Sequence, residues 1–231
     1  MKSYKLTVII CLVLICVTVR GNYPRDNEKP NGALNVFDWI VAELPHIQKT
    51  EGTPHTVATP LGKAVTFGGG DAYFLDVNPL KGLAKFTLEA IFKPDSDGEF
   101  EQRFLHLGMV RGERVMFELR VNRDSSWYFD AFIALSNGDR LTLIDKNLTH
   151  PADCWHHAAL VVDGARVMLY INGMEEFNEP FVFVPVNEGI ASIGVRQDLT
   201  SWFKGSMYRL RITPRALTPC EFLNDHQTLN L

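Results

Sequence analysis

Short stretches in which apolar and polar side chains alternate, each closed by a turn-forming pair, constrain this chain more than any other feature. Residues 63–67 run into Gly68-Gly69-Gly70-Asp71, and residues 86–92 (FTLEAIF) stop at Pro94 and Asp97-Gly98. Segments 103–107, 115–121 and 127–135 follow, the last ending at Asn137-Gly138. Segment 140–145 comes next. Residues 156–162 then lead into Asp163-Gly164, and 166–171 into Asn172-Gly173. Segments 190–195 and 204–213 complete the series. Side chains that point alternately to opposite sides fit a pleated strand with one oily face. Asp-Gly and Asn-Gly between such runs supply the positive φ angles that tight hairpins need. Many short strands without helical periods between them specify an antiparallel all-β sandwich and exclude a doubly wound α/β fold. Two segments have helical character, residues 35–44 and 218–225. The second opens with Thr218-Pro219, a capping residue followed by proline at the first helical position.

The N-terminus has a different character. Lys2 and Lys5 precede an apolar run over residues 6–19, and Val19-Arg20-Gly21 places a small residue before Asn22. This is the layout of a cleavable signal peptide over residues 1–21, and the run is too short for a membrane span. It points to a secreted or periplasmic protein with no membrane span in the mature chain. Lipid anchoring at Cys16 fits less well, because Leu14-Ile15 lacks the small residues such a cleavage box prefers. Residues 22–32 are polar and broken by prolines, as in a flexible leader, and residues 33–231 form the domain. Removing the first 21 residues changes the balance from −4 to −7, with 20 basic residues against 27 acidic. That sign argues against nucleic acid as a partner, since neutralising phosphates needs a basic surface.

The mature chain would keep Cys154 and Cys220. In an oxidising compartment they are a candidate disulfide; the alternative is two separate thiols. Neither has the spacing of a zinc site. His156-His157 resembles a zinc pair, but adjacent strand residues point to opposite faces and do not share a metal. Asn147-Leu148-Thr149 is a glycosylation sequon, meaningful in a eukaryotic host.

The C-terminal half resembles the laminin-G-like and pentraxin-like branch of the concanavalin A-like lectin-glucanase superfamily. The resemblance rests on Trp155-His156-His157-Ala158-Ala159-Leu160-Val161-Val162-Asp163-Gly164, on residues 167–173 (VMLYING), on Ser192-Ile193-Gly194 and on residues 203–218 (FKGSMYRLRITPRALT). Residues 62–67 and 86–90 match the opening strands. The resemblance implies a two-sheet jelly roll over roughly residues 60–224. It also implies a choice among sugar-binding modules, adhesion modules and glycan-active enzymes, which fold alone does not make.

Strand alternation then sorts the charges. Glu89 lies opposite Phe86, Leu88 and Phe92. Arg114, Glu118 and Arg120 share a face of their segment, Gln102 shares one with His106, and Tyr128 shares one with Asp130. If these strands are neighbours in one sheet, Glu89, His106, Glu118, Arg120, Tyr128 and Asp130 gather on one face. Carboxylates accept from sugar hydroxyls, arginine donates a fork, and aromatic rings stack on sugars. The plainer expectation is a polar sheet face with weak cross-strand pairs. The pairs Glu118–Asp130 and Glu89–Glu118 are candidates for glycoside hydrolysis. His106 or Tyr128, with Arg120 or Arg103, would suit a polysaccharide lyase. The strand motifs of laminarinase-type and alginate-lyase-type jelly rolls are absent, so no residue is assigned as catalytic. Trp202, beside Phe203, is a candidate sugar-stacking platform, and Phe203 is expected to be buried. No cofactor is required, but the resemblance implies calcium as an option, with Asp71 after three glycines and Asp198 in a segment similar to part of the pentraxin calcium loop as candidate ligands. The expected partners are polysaccharide or glycoprotein glycans. A secreted carbohydrate- or glycoprotein-binding module is the first reading, with a glycan-active enzyme and a structural or adhesion domain as alternatives.

Overall fold

The computed structural model describes residues 37–223. The expected signal peptide, Cys16 and the expected leader lie outside the described residues, as do the ends of both helical candidates. Among the described residues sixteen strands run in chain order: β1 (Phe37–Ile40), β2 (Ile47–Glu51), β3 (His55–Thr59), β4 (Gly62–Gly68), β5 (Ala72–Leu75), β6 (Phe86–Pro94), β7 (Glu101–Gly108) and β8 (Arg114–Val121). They continue as β9 (Ser126–Ala134), β10 (Arg140–Ile144), β11 (His150–Pro151), β12 (His156–Val162), β13 (Arg166–Ile171), β14 (Met174–Pro180), β15 (Ile190–Ile193) and β16 (Lys204–Thr213). Two antiparallel sheets result. Sheet 1 has the order β14-β13-β12-β6-β16-β4-β3, with β1 also on β16. Sheet 2 has the order β10-β9-β8-β7-β15-β5-β2, with β11 also on β9. This is the jelly-roll sandwich that the alternation requires.

The inward faces meet in one aromatic-rich core. Phe92 of sheet 1 stacks on Phe104 of sheet 2 at 4.6 Å, and Phe117 meets Phe129 edge-on at 5.0 Å. Phe203 is buried here, as expected. Each such ring contributes about 1.5–3 kcal/mol by burial. The hairpin at Asn172-Gly173 has positive φ at both residues (51° and 80°), the geometry of a two-residue type I′ turn.

Both helical candidates are corrected. Within 35–44 the chain forms β1 and a three-residue 3-10 turn, Val41–Glu43, because pairing with β16 satisfies the backbone of Phe37–Ile40. Within 218–225 the described part is a 3-10 turn, Pro219–Glu221. Its Thr218/Glu221 capping box follows the local signal, but the turn is a single one. Among the described residues no helix is long and apolar enough to cross a membrane.

Candidate functional site

The outer face of sheet 2 carries most of the proposed polar surface. The β8–β9 register sets Glu118 opposite Asp130, Arg120 opposite Tyr128 and Met116 opposite Phe132. Glu118 and Asp130 are 3% and 4% exposed, so this face is not a solvated one. Like charges in directly opposed positions repel, and arginines from two strands offset this. Arg120 Nη2 lies 2.6 Å from Asp130 Oδ2 and 3.9 Å from Glu118 Oε2. Arg103 Nε lies 3.0 Å from Glu118 Oε1. Glu101, at the start of β7, pairs with both guanidiniums, and the Ser201 hydroxyl donates to it at 3.0 Å. Burial pushes the carboxyl pKa of Glu118 and of Asp130 upward, and the arginines only partly oppose it.

Arg103 reaches this cluster because β7 contains an irregularity. Its register with β8 shifts between Arg103 and Leu105, so Arg103 and His106 both face outward. Simple alternation pairs Gln102 with His106. Instead, Gln102 is held at the sandwich end, where its Oε1 accepts from Lys204 N at 2.8 Å and its Nε2 donates to Glu99 O at 2.8 Å. A one-residue bulge re-aims every side chain beyond it.

Above this floor lies a depression of about 250 Å³. Glu118, Asp130, Arg103 and Arg120 line one part of it, and Arg114, Phe132, Thr142 and Arg196 line the rest. Its lining combines fixed carboxylates, arginine forks, a hydroxyl and an aromatic ring, which are the groups that grip sugar hydroxyls and ring faces.

A family model of the concanavalin A-like lectin/glucanases superfamily, of laminin-G type, matches residues 67–222. The chain belongs to this superfamily. Solved structures agree at the level of fold. Domain 4 of AbnA, a GH43 extracellular arabinanase from Geobacillus stearothermophilus solved with arabinotriose, is similar with TM-score 0.56 and 22% identity, covering 81% of this chain and 84% of that one. NanB, a sialidase from Streptococcus pneumoniae, is similar with TM-score 0.55 and 19% identity over 71% of this chain, which spans 27% of NanB. The botulinum neurotoxin serotype G binding domain is similar with TM-score 0.56 and 8% identity, covering 86% of this chain and 47% of that one. No curated protein sequence matches the chain.

Within this lectin/glucanase sandwich, the structure corrects several expected site residues. Glu89 lies on β6 in sheet 1, so it does not join Glu118, and the Glu89–Glu118 pair is excluded. It is 0% exposed. Its Oε1 accepts from Leu223 N at 2.7 Å and faces His157 Nε2 at 3.2 Å, while Oε2 accepts from Arg211 Nε at 2.5 Å. Glu89 therefore ties the C-terminal segment onto the outer face of sheet 1. There Phe222 and Leu217 cover Tyr170, Ala159 and Val161.

His106 is buried, and burial lowers its pKa to about 4. Nε2 lies 3.0 Å from the Met109 carbonyl, which only a protonated nitrogen can engage, and Nδ1 accepts from Gln197 N at 3.3 Å. With both nitrogens occupied, His106 is a positioning residue and not a free base, which removes the lyase reading that used it. Tyr128 sits on the Asp130 side of β9 beside Arg120, outside the depression.

Trp202 packs against the small outer cluster Ala72, Phe74 and Val195, so it is not a freestanding platform. Asp71 accepts from Thr53 N (2.7 Å) and Gly68 N (2.6 Å), clasping two loops through both oxygens. Asp198 pairs with Arg196 at 3.0 Å and accepts from the Thr200 hydroxyl. Among the described residues no three His, Cys, Asp or Glu side chains form a metal-sized group. Asp71 and Asp198 thus each have local structural partners.

Cys154 and Cys220 are free thiols, which corrects the candidate disulfide. Each engages its own surroundings: Cys154 the Pro151 carbonyl and His156, Cys220 the Thr218 hydroxyl. Cys154, His156 and Asn172 line up like a nucleophile, base and orienting amide, with Sγ 3.4 Å from His156 Nε2. The hydrogen bonds deny that role. His156 Nε2 donates to Pro151 O at 2.8 Å and Nδ1 accepts from Asn172 Nδ2 at 3.1 Å, so the nitrogen facing the thiol carries a proton. Burial raises the Cys154 pKa and lowers that of His156 to about 4, so neither is charged near neutrality. The two adjacent histidines face opposite sides, as alternation requires: His156 meets Trp127 and His157 meets Glu89.

Glu101 and Arg196 are not singled out by the sequence, and Arg103 is offered there only as the cationic partner in the lyase reading. The sequence carried a signal for Arg103, since its segment alternates, but the bulge reversed the parity.

Proposed function

We propose that this protein is a secreted carbohydrate- or glycoprotein-binding module that takes a glycan on the outer face of sheet 2. The observation that carries this reading is the Glu118–Asp130 pair. Two carboxylates stand opposed on neighbouring strands, nearly buried and braced by Arg103 and Arg120, at the floor of an open depression. Desolvated charged groups with fixed partners lose little freedom when a ligand arrives, so their free lone pairs are ready acceptors for sugar hydroxyls. The arabinotriose bound to the similar arabinanase domain supports a sugar as ligand class in this fold. Secretion is supported by the basic-then-apolar N-terminal run, and N-terminal sequencing of exported protein should begin at Asn22.

The test is a polysaccharide pull-down and glycan-array measurement with the parent protein and Glu118→Gln. Retained binding in the variant at the parent's affinity would move the site off this face.

The same pair favours a second reading, a glycoside hydrolase. Opposed carboxylates with upward-shifted pKa values have the form of an acid and its partner. Release of reducing ends from a polysaccharide panel, lost in both Glu118→Gln and Asp130→Asn, would select it over simple binding.

A further inference from the structure

The depression is electrically lopsided. At its floor, Arg103 and Arg120 are matched by Glu101, Glu118 and Asp130. At its other side, Arg114 stands without a carboxylate within ion-pair distance among the described residues. Its Nη1 donates to the Gly112 carbonyl at 2.7 Å, its guanidinium lies 4.8 Å from the Phe132 ring centroid, and its Nε is buried without a hydrogen-bond partner. Arg196 approaches from the loop after β15. It holds Asp198 through Nη1 at 3.0 Å, and its Nε is also buried and unpartnered. Arg140 adds a third positive charge nearby, and burial together with Arg196 and Arg140 pulls the Arg114 pKa below the ordinary arginine value.

Arg196 is placed there deliberately by its surroundings. The next residue, Gln197, donates its backbone N–H to His106 Nδ1, and its side-chain Nε2 donates to Ile190 O at 2.9 Å and to His106 O at 3.3 Å. The buried, neutral His106 thus pins the loop that carries Arg196 over the depression. Asp198 balances Arg196, but no carboxylate pairs with Arg114 among the described residues, so a further anion would relieve the repulsion and desolvation imposed on it. The protein as a whole is acidic, so this is a local reversal of sign.

We infer that the depression selects an acidic sugar, whose anionic group sits between Arg114 and Arg196 while its ring hydroxyls meet Glu118, Asp130 and Thr142. This rests on the glycan-binding reading and narrows it to a substrate class. The planar guanidinium fork matches a carboxylate in two-point geometry and also accommodates a sulfate. Phe132, whose ring face Arg114 covers, holds that guanidinium at the edge of the depression.

The experiment is calorimetric titration of the purified protein with four uronate- or sialate-bearing polymers: polygalacturonate, alginate, hyaluronan and polysialate. Each is paired with its carboxyl-reduced counterpart, and dextran sulfate is run beside dextran. The expected result is that at least one acidic polymer binds, that carboxyl reduction weakens it about tenfold or more, and that Arg196→Gln and Arg114→Gln each do the same, as loss of a charge-assisted hydrogen bond should. Arg196→Lys, which keeps the charge, should restore part of the affinity, and thermal melts must show that the variants fold. Dextran sulfate binding that disappears in Arg196→Gln would uphold the anion site and assign sulfate to it. Equal binding of acidic and carboxyl-reduced polymers, or an Arg196→Gln variant that binds like the parent, would overturn the inference. In that case neutral-polymer binding that is lost in Glu118→Gln leaves the glycan reading standing. No binding by any polymer, acidic or neutral, overturns both.

Discussion

Arg211 on β16 and Glu89 on β6 form an ion pair beneath the C-terminal segment, with Glu89 fully buried and Arg211 only partly so. The carboxylate is surrounded by donors from three places: Arg211, His157 and the Leu223 amide. Although burial opposes it, this set of donors holds the Glu89 pKa below the ordinary carboxylate value. Removing one partner of a buried pair leaves the other charge unsatisfied, at a cost of about 3–5 kcal/mol. Glu89→Ala should therefore lower the unfolding free energy by roughly that amount in denaturant titration, with no change in glycan binding by folded protein. A loss below about 1 kcal/mol would show that the segment is not held by this carboxylate.

His106 and His156 set a pH dependence. Both have folded-state pKa values lowered to about 4 from 6.5, because burial disfavours the charged ring. The unfolded state takes up their protons first as acidity increases. Their contribution is complete above pH 6.5 and is lost as the pH falls toward 4, at up to about 1.4 kcal/mol per pH unit for each ring. Urea midpoints measured from pH 7 to 4 should fall steeply, and His106→Gln should flatten the slope. A stability curve level across this interval would contradict the neutral, buried assignment.

The thiols yield a chemical prediction. Protein beginning at Asn22, unfolded without reductant, should titrate two free thiols, and reductant should leave the melting temperature unchanged. In the folded state Cys220, which is exposed, should react faster than Cys154, whose raised pKa and partial burial protect it. A reductant-sensitive melt would restore the disulfide.

Gly205 gives a backbone test. It has φ 151°, and a Cβ there would lie 2.6 Å from the Phe203 ring and close to the Lys93 carbonyl. Its place in β16 precedes the bulge between Met207 and Arg209. Gly205→Ala should destabilise by about 3 kcal/mol through combined strain and overpacking, read as a shifted denaturation midpoint. A neutral substitution would mean that β16 yields easily at this point.

The architecture was legible because alternation and turn pairs act locally. Asn172-Gly173 and Asp163-Gly164 announce their hairpins, and the inward Phe92, Phe117 and Phe129 follow from parity alone. The site was half legible for a related reason. Glu118, Arg120 and Asp130 lie on adjacent regular strands, so counting by twos placed them together. Glu89 obeyed the same parity, but strand partnership across two sheets is a long-range choice that no local pattern records. Gln102 and Arg103 exchanged roles at one bulge. Trp202 and His106 looked like ligand groups, since residue type does not reveal which polar or apolar neighbours the folded chain will bring to them.

The guanidinium of Arg120 is tied to Glu101 and Asp130 before any guest arrives, and that of Arg103 is tied to Glu101 and Glu118. A floor lashed down in this way does not remould itself around visitors of different outline. Discrimination then falls to stereochemistry: a sugar whose hydroxyls stand at the wrong axial or equatorial positions finds its intended acceptors already turned elsewhere.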